Sequence, residues 1–194
     1  MMYFQLIVPN SGLNGHSNYS CSVTLELTDV SSQHILESLL TLSFCDASEH
    51  GYCTVTYLVQ QNNSYKVHWA FAMGKARVAP LKPVTIPRLE LTAAAMAGRV
   101  DRMLRRELEL QLADSVFWTD STAVLKYVND ETTRSHTFVA NRVSEILYVS
   151  TASQWRHVSS NFNPADYASR GKIGGHLHTE PNLDFGTRLP HEAS

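Results

Sequence analysis

Apolar and polar residues between Leu39 and Phe71 fall into three blocks that predict three successive strands. Leu39 to Cys45 is an apolar run that stops at Asp46-Ala-Ser. Tyr52 to Val59 is rich in Tyr, Val and Thr, which fit a pleated, half-buried surface. Tyr65, Val67, Trp69 and Phe71 then alternate with Lys66, His68, Ala70 and Ala72, the period of a strand with one buried face. Gly51 and the polar Gln61-Asn-Asn-Ser connect the blocks, so they read as an antiparallel meander. Pro80 and Pro83 end this pattern, and the period lengthens. Leu89, Ala93, Met96, Val100 and Leu104 make one stripe at helical spacing. Thr85-Ile86-Pro87 opens this helix, because proline is tolerated in a first turn. Ala93, Ala94, Ala95 and Gly98 are small, so the helix can press close to a sheet.

From Asp114 to Val128 the pattern changes twice. Val116-Phe117-Trp118 is a short apolar run ending at a lone carboxylate, Asp120; Ser121 and Thr122 follow, and Val124, Leu125 and Val128 then share one side of a helix. A buried strand that stops at an acid, with a helix starting at once, puts that acid where open α/β sheets keep their sites. A turn or helix cap is the simpler role for an Asp in this place. Asn129 to Ser135 is a polar connection, and Thr137 to Val149 is again helical, with Phe138, Val139, Val143, Ile146 and Leu147 for the core. Gln154 to Val158 reads as a short strand, Asn161-Phe-Asn-Pro as a turn, and Pro164 onward as a short helix carrying Asp166 in its first turn. Residues 1–38 are read as an N-terminal tail, with a weak strand pattern at Ser22 to Leu27, and residues 172–194 as a loose C-terminal tail. One domain, 39–171, lies between them.

Composition adds little until charge is placed along the chain. The 194 residues have ordinary apolar content and a formal net charge of −2, but Lys75, Arg77, Lys82, Arg88, Arg99, Arg102, Arg105 and Arg106 face only Glu90 and Asp101 over their stretch. Such a basic segment is a candidate polyanion contact; a solvated helix face is an equal alternative for Arg99 to Arg106. Cys21, Cys45 and Cys53 lack metal-ligand spacing and fit a reduced compartment rather than a disulfide framework. Met1 to Val8 is too short for a secretory signal, and no run is long enough to span a membrane, so the expected location is intracellular, cytoplasmic or nuclear, not secreted.

Four acids occupy comparable places: Asp46 and Asp120 where strands end, Glu90 and Asp166 in the first turns of helices. If the strands are neighbours and the helices pack over them, the carboxylates converge. Like charges so close oppose ionisation, and Mg²⁺, a hard cation taking oxygen ligands, is the natural neutraliser. Two such ions roughly 4 Å apart stabilise both oxygens of an in-line phosphoryl displacement.

Asp46-Ala-Ser, Ile86-Pro-Arg-Leu-Glu-Leu, Trp118-Thr-Asp-Ser and Asn163-Pro-Ala-Asp with Ala-Ser-Arg-Gly, in this order, resemble a type 1 ribonuclease H domain, and more narrowly that of Bel/Pao-type retrotransposon polyproteins. Arg77-Val-Ala-Pro-Leu-Lys, Phe138-Val-Ala-Asn-Arg-Val and Gln154-Trp-Arg-His-Val add to the likeness, which covers about residues 39–171. The resemblance implies an α/β fold: a mixed five-stranded sheet, three antiparallel strands then parallel additions, with helices packed on it. It implies cleavage of the RNA strand of RNA–DNA hybrids with two Mg²⁺ ions, for which Mn²⁺ can substitute. Asp46 would bridge both metals, Glu90 and Asp120 would be ligands, and Asp166 would hold one metal. Ser48 and Ser121 would touch backbone or ribose, and the 2′-hydroxyl would mark the RNA strand. Lys75, Arg77, Arg88, Arg102, Arg105 and Arg106 are the candidate hybrid contacts. A reverse transcriptase domain of the same polyprotein is an implied partner.

Two departures stand out. The family's mobile His before the last acid is missing from Ser159-Ser-Asn-Phe-Asn-Pro, with His157 placed earlier on a strand, and a basic handle helix has no counterpart. An inactive nucleic-acid-binding remnant is the main alternative. A retroviral-type aspartic protease needs Gly where Thr122 stands, and an integrase-type transferase is disfavoured because Glu90 lies between the two strand-end acids in sequence.

Overall fold

The computed structural model describes residues 2–5, 18–21, 24–27, 38–61, 67–108, 112–130 and 137–170. From residue 38 onward the expected order of elements is present; before it, where the sequence predicts a tail with one weak strand, three short strands form. Met2–Gln5 (β1), Asn18–Cys21 (β2) and Thr24–Leu27 (β3) come first, followed by the meander Ser38–Ala47 (β4), Gly51–Gln61 (β5) and Val67–Val78 (β6). Then come Ile86–Glu107 (α1), Val116–Thr119 (β7), Thr122–Asn129 (α2), Thr137–Val149 (α3), Trp155–His157 (β8) and Pro164–Ser169 (α4). Single 3-10 turns at Ala152–Gln154 and Ser160–Phe162 flank β8. The stretch 172–194 read as a loose tail lies outside the described residues.

The five expected strands stand in the order β6-β5-β4-β7-β8, with β2 added beyond β6 and β1 paired with β3 in a separate two-stranded sheet. β4, β5 and β6 are antiparallel; β7 joins β4 in parallel and β8 joins β7 in parallel. Parallel neighbours need crossovers, which α1 and the α2–α3 pair supply.

Alternation splits β4 between two cores. Leu40, Leu42 and Phe44 meet Tyr57, Trp69 and Phe71 on one face, where Tyr57 is edge-on to Phe44, Trp69 and Phe71 at ring distances of 6.0, 6.2 and 5.8 Å. Cys45 and Ala47 turn to the other face with Phe117, under Ala93, Ala94 and Ala97 of α1. The alanines allow the close approach that their size suggests. Gly98 does the same against α3: a Cβ there would lie 2.6 Å from Cγ2 of Val149. Thr41, Ser43, Thr54 and Thr56 are fully buried, and their hydroxyls are paired; Ser43 and Thr56 share a hydrogen bond of 2.9 Å, and Thr54 donates to the Phe44 carbonyl at 2.8 Å.

One irregularity decides where two basic residues point. The β5–β6 register shifts between Thr56 and Tyr57, which pair with Met73 and Phe71, leaving Ala72 as an extra residue. A bulge of this kind reverses the alternation beyond it. Trp69 and Phe71 therefore pack on one face, while Met73 joins Val100 and Leu104 of α1 on the other. Lys75 and Arg77 follow Met73 to the α1 side, not to the aromatic side that an unbroken period of two requires.

Candidate active site

β4 and β7 run parallel, and their last paired residues are Cys45 and Thr119. The next residue on each is an acid, Asp46 and Asp120, so the register alone brings their backbones about 5 Å apart, the spacing of adjacent strands. Asp46 still belongs to β4, opposite Cys53, and is buried, whereas Asp120 is the first residue past β7 and half-buried. Glu90 arrives from α1. Thr85 is the N-cap residue of that helix, so Glu90 stands one turn in rather than in the first turn expected from its sequence position. Ser121 caps α2 by accepting from the Val124 N–H at 3.2 Å and donates its hydroxyl to Oε2 of Glu90 at 2.5 Å. A single side chain thus ties Glu90 to the residue beside Asp120. Asp166 does lie in the first turn of α4. Ser169, on the same helix, donates to Oδ2 of Asp46.

The charges interact. Burial pushes the Asp46 carboxyl up to about 7; the Ser169 hydroxyl opposes this, and the charges of Asp120 and Asp166 add to it. Burial also drives the Cys45 thiol far upward, with Asp46, Asp120 and Glu90 contributing in the same direction. Cys45 therefore senses three of the acids and Asp46 senses the fourth. Arg170 is the local cation: its Nε and Nη2 reach Oδ1 of Asp166 at 2.9 and 2.8 Å. That bond raises the Arg170 pKa, as do the charges of Asp166, Asp46 and Asp120.

Hard carboxylate oxygens that repel one another suit a divalent cation. The cage is not preassembled. Among the described residues no three His, Cys, Asp or Glu side chains are gathered closely enough to hold a metal. Each of the four carboxylates instead accepts from an internal donor: Ser169, Ser121, Ser160 or Arg170.

The remaining predicted residues scatter. Ser48 donates to the Ser169 carbonyl at 2.7 Å, fastening the β4–β5 turn to α4. Lys75 and Arg77 sit near Arg99 of α1, and burial, then Arg77 and Arg99, lower the Lys75 pKa. Arg88 lies over the Phe138 ring at 5.3 Å and Arg102 over Tyr148 at 5.4 Å. Arg106 pairs with Glu107. Arg105 turns inward to Asp101, Ser115 and the carbonyls of Leu112 and Ala113. His157 is exposed on β8. Three residues went unassigned in the sequence: Ser160 donates to Oδ2 of Asp120 at 2.6 Å, Asn163 reaches Oδ1 of Asp120 at 3.5 Å, and Ser169 holds Asp46. Only Asn163 carried a local signal, as the residue before Pro164 at a helix start.

A family model for the Pao retrotransposon-like RNaseH-like domain matches residues 19–121, more than half of the chain. The chain belongs to that family. The match takes in three of the four acids of this Pao-type domain, Asp46, Glu90 and Asp120, and begins within β2. A comparison with curated proteins returns no match. Among solved structures, the N-terminal RNase H domain of rv2228c from Mycobacterium tuberculosis, fused to maltose binding protein, aligns at 14% identity and a TM-score of 0.42, covering 70% of this chain and 96% of that one. RNase H1 from the halophilic archaeon Halobacterium salinarum NRC-1 aligns at 13% identity and 0.42, covering 70% and 97%. LC11-RNase H1 in complex with an RNA/DNA hybrid aligns at 12% and 0.39, covering 66% and 91%. The Pao-type domain has a ribonuclease H-like fold, with a mixed sheet and helices. Among its described residues no helix is long and apolar enough to cross a membrane.

Proposed function

We propose that this Pao-type domain is a metal-dependent endonuclease that cuts the RNA strand of RNA–DNA hybrids. The reading is supported by the parallel β4–β7 register, which sets Asp46 and Asp120 side by side at strand ends, with Ser121 bonding Glu90 beside Asp120 and Ser169 joining the Asp166 helix to Asp46. A cluster of mutually opposed carboxylates has no stabilising purpose in the metal-free fold, and it supplies the ligands that Mg²⁺ or Mn²⁺ requires. These four residues would hold the cations. When bound, the cations activate a water and neutralise the departing 3′ oxygen. The chain itself orients the ligands: Ser121 sets Glu90, Ser160 and Asn163 set Asp120, and Ser169 sets Asp46. A reverse transcriptase domain in the same polyprotein would deliver the hybrid.

The test is direct. Purified protein with Mg²⁺ is expected to nick the RNA of an end-labelled hybrid and leave the DNA strand whole, and EDTA should stop it. The unassembled cage and the internal donor on every carboxylate favour one competing reading, a nucleic-acid-binding relic. Tight hybrid binding with intact RNA at every Mg²⁺ and Mn²⁺ concentration would establish that relic instead.

Lys75 and Arg77 are the strongest candidate phosphate contacts. Lys75 is half-buried near the positive charges of Arg77 and Arg99, and although Glu145 already pairs with Arg99, a phosphate arriving beside β6 would relieve the remaining repulsion. Replacing both Lys75 and Arg77 by Ala is expected to weaken hybrid binding and to flatten the log–log salt dependence by about 1 to 2 units. Affinity measured by fluorescence anisotropy over a salt series checks this, and an unchanged slope would remove β6 from the interface.

A further inference from the structure

We infer that Asn163 is a positioning residue for the acid cluster: its one carboxamide, held on three separate pieces of chain, sets Asp120 and the Asp166 helix against the Asp46 strand. The inference rests on the nuclease reading above and extends it to a residue outside the four acids.

Asn163 is 1% exposed, and each of its polar atoms is engaged. Nδ2 donates to the carbonyl of Cys45 at 3.1 Å, the peptide that leads into Asp46. The same nitrogen reaches Oδ1 of Asp120 at 3.5 Å. Oδ1 accepts from the N–H of Ala165 at 3.1 Å, which caps α4. The main chain extends the hold: the Asn163 N–H donates to the Ser160 carbonyl at 3.1 Å, and its carbonyl accepts from the Asp166 N–H at 3.0 Å. The amide orientation is dictated by its partners, because a backbone N–H can only donate and a carbonyl can only accept. The backbone costs nothing. Asn163 is extended (φ −87°, ψ 104°), as both an N-cap and a residue before proline require.

Capping alone does not need Asn. Ser and Asp cap equally well. What they lack is an NH₂ group that can donate to the Cys45 carbonyl and the Asp120 carboxylate while the oxygen of the same group caps the helix. Asn163→Ser therefore separates the two roles. It keeps the cap and gives up the tie between β4, Asp120 and α4.

The experiment compares wild type, Asn163→Ser and Asn163→Asp by thermal melting, hybrid-cleavage kinetics and Mg²⁺ calorimetry. Asn163→Ser is expected to melt within about 6 °C of wild type, since it keeps the cap and loses the two Nδ2 hydrogen bonds, to Cys45 and to Asp120, the second of them long. Its kcat should fall about 10- to 100-fold with KM little changed, and its Mg²⁺ affinity should fall by about 10-fold, the range for residues that orient ligands. Asn163→Asp, with one more negative charge beside Asp120, should also move the pH–rate profile to higher pH. Wild-type kcat and Mg²⁺ affinity in Asn163→Ser would overturn the inference, as would a loss of kcat that follows melting and vanishes on cooling. A wild-type chain that binds Mg²⁺ but never cleaves rejects the nuclease reading, while the calorimetric comparison still decides the positioning role. A wild-type chain that binds no Mg²⁺ overturns both.

Discussion

Asp46→Asn is expected to abolish hybrid cleavage and, without divalent cation, to make the fold more stable than wild type at neutral pH. Both effects come from one buried carboxyl. Its pKa rises from the ordinary 3.8 to about 7, through burial and the charges of Asp120 and Asp166. In the folded state the proton is kept; in the unfolded chain it leaves near pH 4. A group raised in this way contributes its stability below pH 4 and loses it as pH climbs to 7, because over that window the folded protein binds more protons than the unfolded one. The loss is roughly 3 kcal/mol, allowing for solvent around the half-buried neighbours. Asn cannot ionise, so urea denaturation of the variant in EDTA should lack this downward slope between pH 4 and 7. Mg²⁺ should raise the stability of wild type at pH 7 and do less for the variant. Cleavage should fall roughly a thousand-fold or more, since an amide oxygen brings no charge to a cation that needs it. Residual cleavage near wild type would separate Asp46 from the chemistry, and a wild-type stability that does not decline with pH would show that its carboxyl is not raised in the fold.

Much of this architecture could be read before any coordinates, and the reason is locality. Periods of two and of 3.6 are written in neighbouring residues, so the meander, α1, β7, α2, α3, β8 and α4 appear in the predicted order. Two of the acids followed from the same logic. Apolar runs that stop at Asp46 and at Asp120 place both at strand ends, and parallel pairing then makes them neighbours. What escaped depends on contacts between distant residues. Nothing local marks Ala72 as a bulge; that is decided by Tyr57 and Phe71 pairing across β5 and β6. Its consequence is large, because it moves Lys75 and Arg77 to the face of α1. Glu90 is a local exception: counted from the Thr85 cap that the sequence already offers, it is the fifth helical residue and so lies past the first turn. Asn163 was visible as a helix start, but its reach to Cys45 and Asp120 spans 118 and 43 residues of sequence. A serine hydroxyl aimed at an acid, as in Ser121, Ser160 and Ser169, looks in sequence like any turn or helix serine.

Arg105→Ala is expected to lower stability by about 2–3 kcal/mol, or roughly 5–10 °C in melting temperature, and to leave hybrid affinity unchanged wherever the fold survives. Counting arginines along α1 groups Arg105 with Arg102 and Arg106 as a polyanion face. Its geometry is different. Asp101, one turn earlier, is 4% exposed and takes hydrogen bonds from Thr41 of β4 and from Ser115 just before β7. Arg105 supplies its charge partner, with Nε at 3.1 Å from Oδ2 of Asp101. Its remaining N–H groups go to Ser115 at 2.7 Å and to the carbonyls of Leu112 and Ala113. One guanidinium thus joins α1 to the chain entering β7, at the amino end of the strand whose other end carries Asp120. Removing it strands a buried carboxylate, the costly half of a broken ion pair, although the two hydroxyls that remain soften the loss. Asp101→Asn should rescue part of the deficit in the Arg105→Ala background, because the stranded charge is then gone. Arg102→Ala, which gives up the contact with the exposed Tyr148 ring, should cost no more than about 1 kcal/mol. Equal losses for Arg102→Ala and Arg105→Ala, or an Arg105→Ala protein of native stability with weakened hybrid binding, would return Arg105 to the nucleic-acid face.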